Sequence, residues 1–546
     1  MQRATLLLLL LCGVTFLAGL GRPAIGDSDE AFYAEAAREM VESGDWLTPR
    51  YNYEPRFQKP ILFYWLVAAT YTVAGIGETQ ARLWAALAGV GLSLAVLLAG
   101  RRWFDLRTAM IAAAIVATTF GYFSIGRLAL PDLPLAFFIT VAIGAALAGT
   151  VDDDIHATRW LLISGAAAGC AFLTKGPVGL LVPAIVVTPI WVLEREHFRL
   201  TPRAALGAIA VGLAIGAPWY VAMAISHGAG YLESFFVGDN LERFATSRFN
   251  DPRPLWFYLP IVLGGMLPWT PLVAAVAPML RTRATRRRWL SPRTWRMIVW
   301  AAMPLVFFTI SVGKQPRYVL PILPPLALLL ADAIAQRRTT HGDRRDPLVQ
   351  IPAIAVTVLL GVMAVLLYRA RPLIVMVPPA FIDAAVVAIA VASGIVLGAT
   401  LAARSRAVPG CVALSAALTL AGLQYALSPA GHDPVQNMAA LVLQHRTASE
   451  PVVTFRVFVR NLIFYTHLQQ DDLESEAEVV EFLRSNERVL CVIGADELDR
   501  IQRKASVATR TLGEVLYFNA SAVKLRTLFA PDRERDLERV LLVTNK

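Results

Sequence analysis

Residues 61–76 read Ile-Leu-Phe-Tyr-Trp-Leu-Val-Ala-Ala-Thr-Tyr-Thr-Val-Ala-Gly-Ile, and whether this run crosses a membrane decides how the whole chain is threaded. It is shorter than the ~20 helical residues a bilayer core takes, and its Trp and Tyr suit the headgroup level. Thirteen further apolar runs surround it, near 4–20, 83–100, 108–126, 133–151, 160–173, 177–193, 204–226, 256–280, 297–312, 318–335, 351–368, 381–401 and 407–427. The 546-residue chain is 56% hydrophobic and only 17% charged, against about 25% charged for a soluble globular chain. A soluble enzyme, a disordered chain and a disulfide scaffold are excluded. The expected fold is a polytopic α-helical membrane protein with about thirteen spans.

Charge parity then fixes the status of 61–76. Suppose the N-terminus is cytoplasmic and the run does not cross. Arg101/Arg102/Arg107, the seven arginines between Arg281 and Arg296, Arg337/Arg338/Arg344/Arg345 and Arg404/Arg406 then all face the cytoplasm, as the positive-inside rule requires. If it crossed, the seven-arginine loop would be outside. The run is therefore expected as an interfacial helix within a long first external loop, residues 21–82; on length alone a short true span stays open. Leu6 to Leu20 has the look of a signal-peptide core, but Gly21-Arg22-Pro23-Ala24 is a poor cleavage site, so it is taken as an uncleaved first helix.

The same parity sorts the remaining charges. The net charge of +10 resides in short gaps between spans, where it orients the chain; no nucleic acid is expected as a partner. Cys12, Cys170, Cys411 and Cys491 suggest no disulfide framework, and the seven histidines show no metal-ligand spacing. Residues 428–546 change character. Strands are expected at 451–457 and 489–493 and helices at 477–483 and 497–504. The chain thus divides into a membrane domain, 1–427, and a small external α/β domain, 428–546.

Several polar residues converge on the external face. Gly26-Asp27-Ser28-Asp29-Glu30 opens a helical stretch, and Asp27 with Glu30 has capping-box spacing. The alternative is a carboxylate held above the bilayer to accept a proton. Lys59, in Arg56-Phe57-Gln58-Lys59-Pro60, stands at the membrane surface, where snorkelling and phosphate binding are both open. Arg127 and Asp132 flank one turn. Lys175 sits in a gap so short that it lies near bilayer depth, where charges are costly and point to function. Lys314, Arg317 and Tyr318 repeat the arrangement, and several cations on one face suit an anion.

Asp29-Glu30, Tyr33-Ala34-Glu35, Ala37-Arg38-Glu39-Met40, Ser43-Gly44-Asp45-Trp46, Lys59-Pro60 and Tyr64-Trp65 together resemble bacterial aminoarabinose transferases of lipid A. These are grouped with the protein O-mannosyltransferases among GT-C membrane glycosyltransferases. The likeness continues through 126–134, 173–179, 240–244, 254–269 and 313–321. It implies a GT-C-type fold with external juxtamembrane helices, in a bacterial inner membrane, with the site and the C-terminal domain periplasmic. It implies an inverting glycosyltransferase that moves a sugar from polyprenyl (undecaprenyl) phosphate to lipid A, protein or another envelope glycan, among membrane lipids. By the same resemblance Asp29 is the base, with Glu30 and Asp132 as further catalytic candidates. Lys59, Arg243, Tyr318, Lys175 and Arg127 fall to the donor phosphate, and Tyr33, Gln58, Lys314 and Arg317 to the substrate pocket.

Three departures bear on this. Gln58 stands where the family often has glutamate, Asp239 and Asp251 where histidines often occur, and Phe32 where the aminoarabinose enzymes tend to have arginine. The usual ligands of a divalent metal are thus replaced; a divalent metal stays open, and no metal ligand or cofactor is assigned. A transporter or flippase for a lipid-linked solute remains the alternative class, and a lipid-binding receptor without turnover a third.

Overall fold

The apolar runs lie largely in helical structure, several of them more broken than the sequence suggests. The computed structural model describes residues 2–546 except 151–155, 199, 248–251, 282, 342–344, 429–432, 448 and 520–523; Asp251 and Arg344 lie outside the described residues. Among the described residues seven helices are long and apolar enough to cross a membrane, or ten if each of three bent pairs is one span. Length and composition thus account for seven to ten of the expected thirteen. The runs at 4–20 and 177–193 form the shorter helices Gln2–Leu17 and Val178–Leu193. The run at 297–312 belongs to the helix Pro292–Ile310, which carries Arg293 and Arg296 in its first turns. The run at 256–280 bends by 99° between Leu255–Gly265 and Thr270–Arg281, at a break holding Pro268, which has no N–H to continue a helix. The chain is a membrane protein.

Residues 62–74 form a 13-residue helix, too short to span a bilayer core. It packs against the first-loop helix Asp29–Ser43. Tyr33, Met40, Phe63, Tyr64 and Tyr71 share one buried cluster with Trp219, Tyr220 and Phe235 from beyond the third long helix. The sequence dictates the first-loop helix locally. Ser28 caps it by accepting from the Glu30 N–H at 3.3 Å, and Asp29 and Glu30 favour its positive end. Ala31, Ala34, Ala36 and Ala37 let it pack closely. Gly44 ends it at φ 70°, a left-handed cap that glycine adopts without strain.

The capping box expected from Asp27 and Glu30 does not form, because both carboxylates are used at longer range. Asp27 accepts from the backbone N–H groups of Val459 and Arg460 at 3.2 and 2.8 Å. Glu30 is fully buried and pairs with Arg82, itself 1% exposed, at 2.7 Å. It also accepts from Gly26 N at 2.9 Å and Ala129 N at 2.8 Å. Arg82 in turn donates to the carbonyls of Leu20, Pro23 and Ala24. One ion pair therefore ties the first helix, the first loop, the helix Glu78–Trp103 and the 127–131 turn together.

Strands β1 (Arg50–Tyr51) and β2 (Glu54–Pro55) form a small antiparallel hairpin in the first loop. The C-terminal unit is built on β3 (Val452–Phe455), β4 (Asp471–Leu473), β5 (Leu490–Gly494), β6 (Arg510–Tyr517) and β7 (Glu538–Thr544), in the order β4-β3-β5-β7-β6. β3 is parallel to β4 and β5, while β7 is antiparallel to β5 and β6. Both expected strands are central, since every β3 side chain is buried and separate apolar clusters include its alternate residues. The expected helices appear as Glu476–Leu483 and Ala495–Ala505. The loop after β3 docks on the first loop: Asn461 Nδ2 donates to Ile25 O at 2.8 Å, and Ile25 N donates to Tyr465 Oη at 2.8 Å.

Removing one member of a buried ion pair leaves a charge without compensation, at a cost of about 3–5 kcal/mol. Glu30→Ala and Arg82→Ala are each expected to lower the melting temperature of the detergent-solubilised protein sharply. Asp29→Asn, at the half-exposed neighbouring carboxylate, is expected to shift stability by less than about 1 kcal/mol. Thermal unfolding followed by tryptophan fluorescence checks both.

Candidate active site

Where the first loop meets the membrane helices there is a cavity of about 710 Å³. Each of its polar side chains is delivered by a different local device. Asp29 and Tyr33 are i and i+4 on the first turn of the first-loop helix, so they face the same way. Arg56, Gln58 and Lys59 come from the extended segment ahead of the interfacial helix, held by Arg56 N donating to Pro49 O at 2.8 Å. Asp132 opens the helix Asp132–Thr150, and Lys175 closes the helix Ala157–Lys175. Asp239, Asn240 and Arg243 ride on the π-helical turn Ser234–Glu242 and the residues just after it. Arg317 and Tyr318 open the 3-10 turn Pro316–Ile322.

Gly313 fixes how the last two groups meet. Val312 N donates to Phe244 O at 2.9 Å, and a Cβ on Gly313 would stand 2.1 Å from the Arg243 carbonyl oxygen. Any side chain there would force apart the two segments that carry Arg243 and Tyr318.

Five cations (Arg56, Lys59, Lys175, Arg243, Arg317) face three carboxylates (Asp29, Asp132, Asp239) around the cavity. Lys175 is ion-paired with Asp132 and also lies 5.1 Å from the centroid of the Tyr318 ring. Arg317 pairs with Asp29 and reaches Asp132 at 3.6 Å. Arg243 lies 3.7 Å from Asp239. Burial would raise the Asp29 carboxyl, but Arg317, with Arg460 and Arg56 behind it, more than offsets this and holds it below the usual carboxylate value. Asp239 is pushed up by burial, against the pull of Lys59 and Arg243. Burial, then Arg243 and Lys175 nearby, push the Lys59 ammonium down to about 7. The remaining wall is apolar, including Leu135, Ile139, Leu181, Phe244, Phe307 and Phe308. A cationic rim over an apolar wall is suited to a phosphate carried on a hydrocarbon chain.

The cavity brings together Asp29, Asp132, Lys59, Arg243, Tyr318, Lys175, Tyr33, Gln58 and Arg317. Three expected site residues lie outside it. Glu30 is occupied by Arg82. Arg127 is buried and donates to the carbonyls of Thr15 at 3.0 Å and Ala18 at 2.6 Å. Lys314 is buried and donates to Ser311 O at 2.6 Å and Arg253 O at 3.2 Å. All three hold backbone in place, which their spacing could not distinguish from a substrate-facing role. Arg56 and Asn240 are lining residues that the sequence assignment passed over, although Asn240 stands in a motif that carries the resemblance. Among the described residues no three His, Cys, Asp or Glu side chains gather into a metal-holding group. Gln58 and Asp239 both line the cavity, and Asp239 faces Lys59 and Arg243.

Residues 25–227 match the family model of dolichyl-phosphate-mannose-protein mannosyltransferases. The chain is 32% identical over 331 residues to undecaprenyl phosphate-alpha-4-amino-4-deoxy-L-arabinose arabinosyl transferase 2 of Proteus mirabilis, covering 60% of this chain and 58% of that protein. To the corresponding transferase of Pseudomonas aeruginosa it is 33% identical over 336 residues, 61% of this chain and 59% of that one. The chain thus spans less than two thirds of the length of these relatives. In three dimensions it is similar to ArnT from Cupriavidus metallidurans bound to undecaprenyl phosphate, with TM-score 0.74 and 23% identity over 99% of this chain and 98% of that one. The Archaeoglobus fulgidus oligosaccharyltransferase tethered with an acceptor peptide gives TM-score 0.52 and 14% identity over 93% and 68%. The fold is the GT-C-type fold expected from the sequence.

Lys59 carries a testable pH signature. Its depressed value means that it is protonated below about pH 7 and neutral above, and only the ammonium attracts phosphate. A polyprenyl phosphodiester keeps one charge throughout this range, so its affinity is expected to fall as pH rises from about 6 to 9. Lys59→Arg, always charged, is expected to flatten that dependence. Titration of the nanodisc-embedded protein at several pH values checks this.

Proposed function

We propose that this protein is an inverting glycosyltransferase that takes a sugar from a polyprenyl phosphate carrier and places it on an envelope acceptor, at the outer face of a bacterial inner membrane. The observation that carries the proposal is the cavity itself. Lys59, Lys175, Arg243 and Tyr318 ring one end of an apolar-walled pocket, and Asp29 stands at its edge. The names of the similar transferases, and the undecaprenyl phosphate bound by the similar ArnT, support the same donor class. The basic loops of the sequence support a cytoplasmic N-terminus, a periplasmic site and a periplasmic C-terminal unit.

In this scheme the hydrocarbon tail lies along Leu135, Ile139, Leu181 and Phe308, and the phosphate meets Lys59, Arg243 and Tyr318. Departure of the polyprenyl phosphate breaks the bond at the anomeric carbon and returns the electron pair to the phosphate oxygen. Fixed cations stabilise that developing charge. Asp132 orients the Lys175 ammonium and shares Arg317 with Asp29. The arriving phosphate offers Arg317 another anion, and as Arg317 turns toward it the Asp29 carboxylate is released to the acceptor. Asp29 is ionised from the outset, held low by Arg317 after the cost of burial is met. It therefore acts late, taking a hydroxyl proton only as the new bond makes that proton acidic, or orienting an acceptor that has none to lose. These steps use side chains alone.

Asp29→Asn is expected to lower transfer by ~10²–10⁴-fold with donor binding retained, the usual range for a positioned base. Lys59→Ala and Arg243→Ala are expected to weaken donor binding by at least ~10-fold, as charge-assisted contacts to phosphate are lost. Two experiments check the proposal: purified protein with a panel of polyprenyl phosphate sugars, and mass spectrometry of envelope lipids and glycoproteins from wild-type, deletion and Asp29→Asn cells. A sugar-sized mass lost in both mutants is the expected result. Identical envelopes, with the variant stably inserted and no transfer in vitro, would overturn it.

A further inference from the structure

The sugar of the proposed reaction has a defined place in the cavity. Its anomeric carbon is bonded to the carrier phosphate, at the end marked by Lys59, Arg243 and Tyr318, and stays open to an acceptor beside Asp29. The sugar therefore fills the space between those two ends. Arg56 lines this space. Its charge acts on Asp29 to one side and on Lys59 and Asp239 to the other. Arg460 approaches the same aromatic ring as Arg56, at 5.4 Å from the Phe32 centroid, but it is exposed and does not line the cavity.

Local structure holds Arg56 in place without neutralising it. Its N–H donates to Pro49 O at 2.8 Å, and its guanidinium carbon lies 3.9 Å from the centroid of the Phe32 ring. The Tyr51 ring steadies Phe32 edge-on, with centroids 4.6 Å apart. An aromatic face attracts a cation but leaves its charge intact. Arg56 forms no ion pair among the described residues, and its Nε is buried without a hydrogen-bond partner. The cavity's three carboxylates are placed differently, because each already has a cation at hand. Asp29 holds Arg317, Asp132 holds Lys175, and Asp239 lies 3.7 Å from Arg243. A sugar ammonium would thus find no unpaired carboxylate among the described residues and would face an uncompensated guanidinium. A neutral sugar would cover that guanidinium and leave it without an anion, which is costly.

We infer that the donor sugar carries a carboxylate, as a hexuronic acid does, and that Arg56 receives it and sets the specificity for it. A guanidinium fork matches a carboxylate with two parallel N–H···O bonds, and Arg56 Nε gains the partner it lacks. The phosphodiester charge is met separately by Lys59 and Arg243, so the donor brings two negative charges and the cavity has a group for each. The carboxylate takes no part in the bond changes of the transfer. The sugar in the names of the similar arabinosyl transferases carries an amine instead, the charge that Arg56 repels. The inference rests on the transfer reaction proposed above and names the class of sugar transferred.

The test uses the full chain in nanodiscs, without acceptor, at one pH below 7, where Lys59 is charged. The probes are polyprenyl phosphate carriers of a hexuronate, of its methyl ester, of the hexose of the same configuration, and of an aminodeoxy pentose. Wild type is expected to bind the hexuronate carrier at least ~10-fold more tightly than the ester or hexose carriers, the gain of one charge-assisted contact. Arg56→Ala is expected to bind those three alike, Arg56→Lys to keep part of the preference, and Arg56→Glu to favour the aminodeoxy sugar. The reading is a ratio between carriers within one protein, and wild type alone supplies it, so a poorly folding variant leaves the test intact. Equal binding of hexuronate and hexose carriers by wild type, or tighter binding of the aminodeoxy carrier, would overturn the inference. So would an Arg56→Ala protein weakened for all carriers by the same factor, since Arg56 would then be one more phosphate contact. Failure of wild type to bind any carrier would instead remove the transfer reaction itself.

Discussion

The buried Glu30–Arg82 pair is the constraint on which the rest of the site depends. An ionised pair with almost no exposure is tolerated only when its remaining oxygens and protons are hydrogen-bonded. Here Gly26 N, Ala129 N and three carbonyls supply those partners. With Glu30 and Arg82 themselves, these groups bring the 20–30 stretch, the helix Glu78–Trp103 and the 127–131 turn into one arrangement. That arrangement sets the first turn of the first-loop helix, and with it the direction in which Asp29, one residue earlier, projects. Neighbouring acids thus do opposite work: Glu30 is spent on position, and Asp29 is left at the edge of the cavity.

Within the cavity the carboxylates are never alone. Asp132 holds Lys175 and shares Arg317 with Asp29, while Asp239 faces Arg243 and Lys59. This chain of alternating charges leaves an excess of cations for an anionic ligand. The cost of assembling that excess appears at Lys59, which is driven toward neutrality by its surroundings. A phosphate restores the balance. Ligand binding and the charge state of the site are therefore one equilibrium.

Much of this was legible in the sequence, because hydrophobic run length and the sign of loop charge are local properties. The non-crossing character expected of 61–76 agrees with the 13-residue helix found there. The strands at 452–455 and 490–494 follow from short apolar runs bounded by turn residues. The breaks within runs were not legible, since a run such as 256–280 looks continuous in composition and bends only through its three-dimensional packing. Nor did spacing separate Glu30, Arg127 and Lys314 from their cavity-lining neighbours. A buried cation that holds carbonyls and one that awaits a phosphate present the same letter in the same gap. The approach of Arg460 to Phe32 was beyond reach for a different reason: it joins residues more than four hundred positions apart.

That separation has a temporal meaning. Asp27 takes the N–H of Val459 from 432 positions further along the chain. During synthesis the first loop emerges early and waits, with its helix start unanchored on that side, until nearly the whole protein has been translated. A truncated or stalled product would carry most of the cavity's cations and Asp29, but not the loop that steadies them. Completion of the polypeptide is thus written into the geometry beside Asp29.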